Sequence, residues 1–276
     1  MSRSSGRWLL VTALIAVAAC TTPAQRPSAP PRPSTSTSAG AAPLTIFGAA
    51  SLKGALDKMK VAWEATHPGS VLRISTDSSA ALETQIEQSA PADVFLSADT
   101  SNPRKLTDKS LADGPTVAFA GNVLTIVIPA DNPGKISSPA DLARTGVKII
   151  AAGDGVPITK YAKQVVSNLA KVPGYPAGFE SAYTGNVVSK EDNVKAVIAK
   201  IELGEGDAGI VYATDARAST KVATVSIPDD ANVLATYAGV VVKASPHRAA
   251  AHAFLDWVAG PDGQAILATF GFLPPD

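Results

Sequence analysis

The chain holds little of what catalytic and metal sites are usually built from. Its 276 residues include one cysteine, Cys20, three histidines and 5% aromatic residues. A single cysteine excludes a disulfide scaffold. Charge is scarce at 17%, and the 24 basic residues are matched by 24 acidic ones, so there is no nucleic-acid footprint. The run of twelve apolar or small residues near the start, Trp8 to Ala19, is too short to span a bilayer as a stable helix. No G-x-S-x-G elbow, phosphate-binding P-loop or G-x-G-x-x-G turn follows a strand-like segment. His67 sits in a Pro-Gly helix stop, and His247 and His252 are five apart, the wrong spacing for a shared metal face on a helix. What is present is an apolar content of 46%, which excludes disorder and suffices for one large domain or two medium ones.

Charge is also uneven. Arg3, Arg7, Arg26 and Arg32 are the only charges before Leu44, so the remainder carries 20 basic against 24 acidic residues, a net of −4. Arg3 and Arg7 ahead of a short apolar run read as a secretory signal over residues 1–19. Val17-Ala-Ala-Cys20 resembles a bacterial lipobox, which implies cleavage before Cys20 and lipidation of its thiol; the alternative is an ordinary A-x-A cut beside an incidental cysteine. Residues 21–43 contain six Pro, four Ser and four Thr without an acidic side chain, a composition that forms a semi-extended tether. Residues 20–43 therefore read as a linker from membrane to domain.

From Leu44 onward the pattern alternates between strands and helices, as in parallel βαβ units. Leu44–Gly48 is a strand. Leu52, Ala55, Leu56, Met59 and Trp63 then recur at helical spacing until His67-Pro-Gly69. Val71–Ser75 is a strand, Ser79 opens a helix with Leu82 and Ile86 inward, and Asp93–Ser97 is a strand. The rhythm returns with a strand at Val147–Ala151, helices at Pro157–Lys171 and Asn193–Leu203, a strand at Ala208–Tyr212 and closing helices at 247–259 and 262–270. Two long apolar strands, Asn122–Pro129 and Val233–Lys243, are suited to crossing between two lobes. The expected fold class is α/β, with 44–121 plus 239–276 as the first lobe and 122–238 as the second.

Four helix starts follow strand-like segments: Ser51, Ser79, Pro157 and Asn193, the last capped by Asp192. Each is ordinary alone. Together they fall two to each lobe, at the carboxyl ends of strands where α/β sheets bind ligands. First-turn N–H groups and the helix dipole favour an anion without any net positive charge.

The chain resembles the molybdate-binding proteins of ABC importers. Phe47-Gly-Ala-Ala-Ser-Leu52, Gln85-Ile-Glu-Gln-Ser-Ala-Pro-Ala-Asp-Val-Phe-Leu-Ser-Ala-Asp99, Gly121-Asn-Val-Leu124, Gly153-Asp-Gly-Val-Pro157 with Tyr161-Ala-Lys163, Gly209-Ile-Val-Tyr212 and Phe270-Gly-Phe272 carry the likeness in order over nearly all of 44–276. The resemblance implies a type II periplasmic binding protein fold, two α/β lobes joined by a hinge with an oxyanion in the cleft. It implies a site of Ser51 and Ser79 (hydroxyl and N–H), Ile158 and Val194 (N–H alone) and Tyr212 (phenol O–H). Ile158 stands where the family usually has a smaller residue. The molybdenum would be bound as the oxyanion with no direct metal ligand, tungstate would fit as well, and no cofactor or catalysis is implied. Partners would be a permease with its ATPase subunit, and the membrane through the lipid on Cys20; the chain would be a monomer.

Hydrogen bonds to a charged group contribute roughly 1.5–3 kcal/mol each, enough in combination for micromolar binding after dehydration of a dianion. Hydrogenphosphate would need an acceptor for its proton. Asp77 and Asp154 could turn inward and supply one, or could cap turns facing solvent. Other readings are a binding protein for sulfate or phosphate, an oxyanion-sensing accessory lipoprotein, or an enzyme with Ser51 or Ser79 as nucleophile. The last lacks a base: Lys53, the nearest, points along its helix away from the start.

Overall fold

The computed structural model describes residues 42–275. The signal segment 1–19, Cys20 and nearly all of the linker lie outside the described residues.

Chain order is β1 (Pro43–Ala49), a 3₁₀ turn (Ala50–Leu52), α1 (Lys53–Thr66), β2 (Val71–Asp77), α2 (Ser79–Glu87), β3 (Val94–Ser97), α3 (Ser101–Asp108), β4 (Ala112–Asn122) and β5 (Leu124–Pro129). It continues with β6 (Ile149–Ala152), α4 (Pro157–Leu169), α5 (Phe179–Gly185), β7 (Val187–Glu191), α6 (Val194–Glu202), β8 (Gly209–Tyr212) and α7 (Ala213–Arg217). Then come β9 (Val222–Val225), β10 (Ala235–Val242), α8 (Arg248–Ala259) and α9 (Pro261–Thr269). Pro43 already belongs to β1, so the folded part begins one residue before the expected start of the first lobe.

The first sheet has strand order β2-β1-β3-β10-β4. β1 runs parallel to β2 and β3, whereas β10 is antiparallel to both β3 and β4. Both faces are covered, so the strands are apolar on both sides. Leu44, Ile46, Val94 and Leu96 join the core under α1 and α8. Phe47, Phe95, Val240 and Val242 point the other way, toward Leu82, Ile86 and Leu106 of α2 and α3. The expected inward face of α1 is the buried one: Ala55, Leu56, Met59 and Trp63 are each 1% exposed.

A second sheet has order β8-β5-β9, with β5 antiparallel to both neighbours. The parallel pair β6-β7 joins it through a bridge between Ile149 and Ala208. The chain passes from the first sheet to the second at Val123, between β4 and β5, so the expected single strand Asn122–Pro129 is split there. It returns through 226–234, and β10 pairs within the first sheet from Ala235. The two passages are pinned side by side. Asn232 accepts from the Leu124 N–H at 3.1 Å and donates to the Leu124 carbonyl at 2.9 Å.

Two glycines in the motifs quoted above have packing reasons. A Cβ on Gly209 would lie 2.9 Å from the Ile150 carbonyl oxygen and 3.0 Å from Val197. A Cβ on Gly48 would lie 2.3 Å from Leu56. These strands are glycine where a helix or neighbouring strand approaches closely.

Candidate functional site

Each anticipated anion donor is placed by a strand that ends and a helix that begins. β1 leads into the turn holding Ser51, one turn before α1 proper. β2 leads into α2, whose cap is Ser78: its Oγ accepts from the Ala81 N–H at 3.2 Å, leaving Ser79 as the first helical residue. β6 leads through Gly153-Asp-Gly-Val156 into α4, with Pro157 at its first position and Ile158 next. β7 leads into α6. Its cap is Asn193, not Asp192: the Asn193 carboxamide oxygen accepts from the Ala196 N–H at 3.1 Å, and Asp192 is exposed. Either side chain of an Asp-Asn pair can cap, and here the helix begins one residue later than expected. Ser79, Ile158 and Val194 all lie in first turns, where helix geometry offers their N–H groups no acceptor.

Ser51, Ser79, Ile158, Val194 and Tyr212 line one cavity, together with Ala49, Ala50, Ser78, Ala98, Val156, Pro157 and Asn193. The space between them is narrow, far too small for an organic ligand. Residues from both sheets contribute, and none of the lining residues is charged. Ser51 is 7% exposed, and Ser79 and Tyr212 are each 1% exposed.

The hydroxyl groups are held from behind. The Ala98 N–H donates to Ser79 Oγ at 3.0 Å, so the serine's own proton is free for the cavity. Tyr212 reaches the Ala98 carbonyl at 3.5 Å, a long contact that a stronger acceptor would displace. Burial, followed by the adjacent Tyr237, pushes the Tyr212 hydroxyl well above its ordinary pKa, so it remains a donor. Ser51 Oγ lies 2.9 Å from the Tyr237 hydroxyl, a partner that sequence reading missed. Tyr237 sits in a strand read only as a crossing segment, and no local pattern marks it as a neighbour of Ser51.

Neither aspartate offers an acceptor to the cavity. Asp77 Oδ1 accepts from the Ser78 N–H at 2.7 Å and from Asn193 Nδ2 at 3.2 Å, which ties the end of β2 to the start of α6. Asp154 is exposed and pairs with Lys190 at 2.7 Å and Lys163 at 2.9 Å, contacts that hold its pKa down at about 2. Asp154→Asn should accordingly change anion affinity by less than about twofold, because surface pairs of this kind contribute little; equilibrium titration checks this. Any stability from these pairs is present above the ordinary aspartate pKa and is lost as pH falls from there toward 2.

A larger hollow of about 580 Å³ opens between α4, α5 and β7 and shares only Ile158 with the site. Its walls are Ala162, Val166, Tyr183 and Val187, and its lysines, Lys163 and Lys190, are already paired with Asp154. Among the described residues, no group of His, Cys, Asp or Glu side chains is arranged to hold a metal ion. None of the described helices is long and apolar enough to cross a membrane.

Residues 44–273 match the family model of bacterial extracellular solute-binding proteins. The molybdate-binding protein ModA of Mycobacterium tuberculosis is 34% identical over 271 residues, covering 97% of this chain and 95% of that protein. This chain belongs to the ModA family of bacterial extracellular solute-binding proteins. The putative ABC transporter substrate-binding lipoprotein YvgL of Bacillus subtilis is 29% identical over 231 residues, 83% of this chain and 85% of that one. The substrate-binding domain of a putative molybdenum ABC transporter from Clostridium difficile superposes with a TM-score of 0.63 at 29% identity, covering 85% of this chain and 99% of that structure. The fold is that of a periplasmic binding protein, as the resemblance implied. The family consists of solute-binding proteins and not of enzymes, which sets aside the nucleophile reading of Ser51 and Ser79.

Proposed function

We propose that this ModA-family protein captures molybdate outside the cytoplasmic membrane and delivers it to an ABC permease driven by its ATPase subunit. One observation carries the reading. Residues on five separate segments, drawn from both sheets, line one small cavity with no charged side chain among them. The named relatives bind molybdate or belong to ABC transporters, and they match over most of their length.

Ser51, Ser79, Ile158, Val194 and Tyr212 supply the donors. Molybdate, and tungstate with it, suits this set because a fully deprotonated dianion accepts at every oxygen. Hydrogenphosphate must donate its proton, yet the Asn193 carboxamide oxygen is engaged with the Ala196 N–H. Asp77 is bonded to Ser78 and Asn193. Cavity size then separates molybdate from the smaller sulfate.

The two lobes, one on each sheet and with the first resuming at Ala235 rather than at the expected 239, close on the anion, since it contacts donors on both. Asp77–Asn193 and the Lys160–Ser101 bond at 3.2 Å would then latch the closed form. The chain acts as a monomer held by lipid on Cys20, with residues 20–43 letting the domain reorient above the membrane. Acyl chains anchor by about 0.8 kcal/mol per buried CH₂ group, so two or more make the anchor stable.

Calorimetric titration with molybdate, tungstate, sulfate and phosphate tests the substrate. Molybdate and tungstate should bind at micromolar or tighter Kd, with sulfate and phosphate weaker by at least about a hundredfold. Preferential binding of sulfate or phosphate would refute the assignment while leaving the fold untouched.

A further inference from the structure

The cavity's neutral donors raise a question of direction. A hydroxyl can present either a proton or a lone pair, and only the proton attracts an oxyanion. For Ser79 the direction is settled by the Ala98 N–H, which can only donate. For Ser51 the partner is another hydroxyl, Tyr237, and either atom could be the donor across their 2.9 Å contact.

The answer depends on the next link. Asn122 Nδ2 lies 2.8 Å from Thr214 Oγ1 and 3.4 Å from the Tyr237 hydroxyl. Asn122 is 1% exposed, Tyr237 is fully buried and Thr214 is 6% exposed, so water cannot readily substitute in this chain of groups. With the amide nitrogen facing Tyr237, the tyrosine oxygen accepts from Asn122 and its proton goes to Ser51. The serine, having accepted, directs its only proton into the cavity. With the amide reversed, Tyr237 would donate to Asn122 and Ser51 would donate to Tyr237, presenting lone pairs to the anion.

Local bonding does not separate the two orientations by itself. In the observed one, Asn122 Oδ1 is buried with no partner among the described residues. In the reversed one the orphan would be the nitrogen. A bound oxyanion breaks the tie, because it interacts favourably with only one of them.

We propose that Tyr237 and Asn122 are positioning residues for anion capture, forming a relay from Asn122 Nδ2 through the Tyr237 hydroxyl to Ser51 Oγ that aims the serine proton at the ligand. The inference rests on Ser51 being an anion donor. It accounts for Asn122 in the Gly121-Asn-Val-Leu124 motif, and for a tyrosine rather than a phenylalanine in the packed cluster with Phe119, Tyr212 and Phe272.

A double-mutant cycle read by molybdate calorimetry tests the relay. Tyr237→Phe keeps the ring and should weaken molybdate binding by about fivefold to tenfold, the scale of one misdirected hydrogen bond. In a Ser51→Ala background the same substitution should cost less than about twofold, because no serine proton remains to be aimed. Selectivity adds a readout that packing would not move. Freed from Tyr237, Ser51 can turn and accept, so the preference for molybdate over hydrogenphosphate should narrow. If Tyr237→Phe does not fold, Asn122→Ala runs the same cycle without touching the ring. Equal losses in both backgrounds, or no loss in either, would overturn the relay alone. Ser51→Ala binding molybdate like the parent would overturn both the relay and the placement of Ser51 in the site.

Discussion

Replacing Ser79 by aspartate should abolish molybdate binding while leaving the protein folded. Ser79 opens α2 and is 1% exposed inside the cavity. A carboxylate there faces the anion at close range. Two unit charges 4 Å apart repel by about 4 kcal/mol at an effective dielectric constant of 20, and a dianion doubles this. Since each 1.4 kcal/mol is about tenfold, affinity should fall by more than roughly a thousandfold. The same carboxylate is favourable for the fold. It sits in the first turn of a helix, where acidic groups are stabilising, and it can accept from the Ala98 N–H as Ser79 does. In effect it becomes a tethered anion that satisfies the donors the ligand would have used. Thermal denaturation should therefore show a ligand-free melting temperature at or above the parent's, with no rise on adding millimolar molybdate. A variant that still melts higher with molybdate would show that Ser79 does not face the ligand.

The legible parts of the site were those whose chemistry is local. A glycine- or serine-rich break after an apolar strand announces a helix start, and the first-turn amides follow from helix geometry wherever the helix goes. Ser51, Ser79, Ile158 and Val194 could thus be read from local pattern, whereas Tyr212, at a strand end, was implied only by the family resemblance; all five line one cavity. The inward face of α1 was equally plain, since Leu52 to Trp63 repeat at helical spacing. What escaped depended on partners distant in the chain. Tyr237 meets Ser51 across 186 residues, and its strand reads as uniformly apolar. Asp154 is held away from the site by Lys190, 36 residues on. β7 and β9 escaped because they are short and half-buried: Val187–Glu191 ends in Ser-Lys-Glu, and Val222–Val225 is only four residues long. Asp192 and Asn193 are both competent caps, and their choice turns on which side chain meets the Ala196 N–H in three dimensions.

Trp63→Ala should cause the largest loss of stability among substitutions remote from the site, with the ligand response preserved. Trp63 is 1% exposed on the inward face of α1 and lies about 15 Å along that helix from its start. Its ring meets Phe254 edge-on at 5.2 Å and Trp257 at 5.5 Å, so it fastens the first helix to α8 near the end of the chain. Its indole N–H donates to Ser70 Oγ at 2.8 Å, and Ser70 in turn donates to the Ala42 carbonyl, where the fold begins. Truncating a buried tryptophan costs about 3–5 kcal/mol through lost transfer energy and the cavity left behind. In a domain of this size that corresponds to roughly 10 °C in melting temperature. Trp63→Phe, which keeps aromatic packing but not the N–H, should lose considerably less. Molybdate stabilises by mass action on the native state, by about 4 kcal/mol at a thousand times Kd. Because Trp63 shares no hydrogen-bond or ring partner with the cavity residues, that increment should appear in Trp63→Ala undiminished. The contrast with Ser79→Asp is the informative one: one variant melts low and still responds to the anion, the other melts normally and does not. A Trp63→Ala protein whose molybdate increment is also lost would mean that the α1–α8 packing sets the shape of the Ser51 turn, so that site and core are a single cooperative unit.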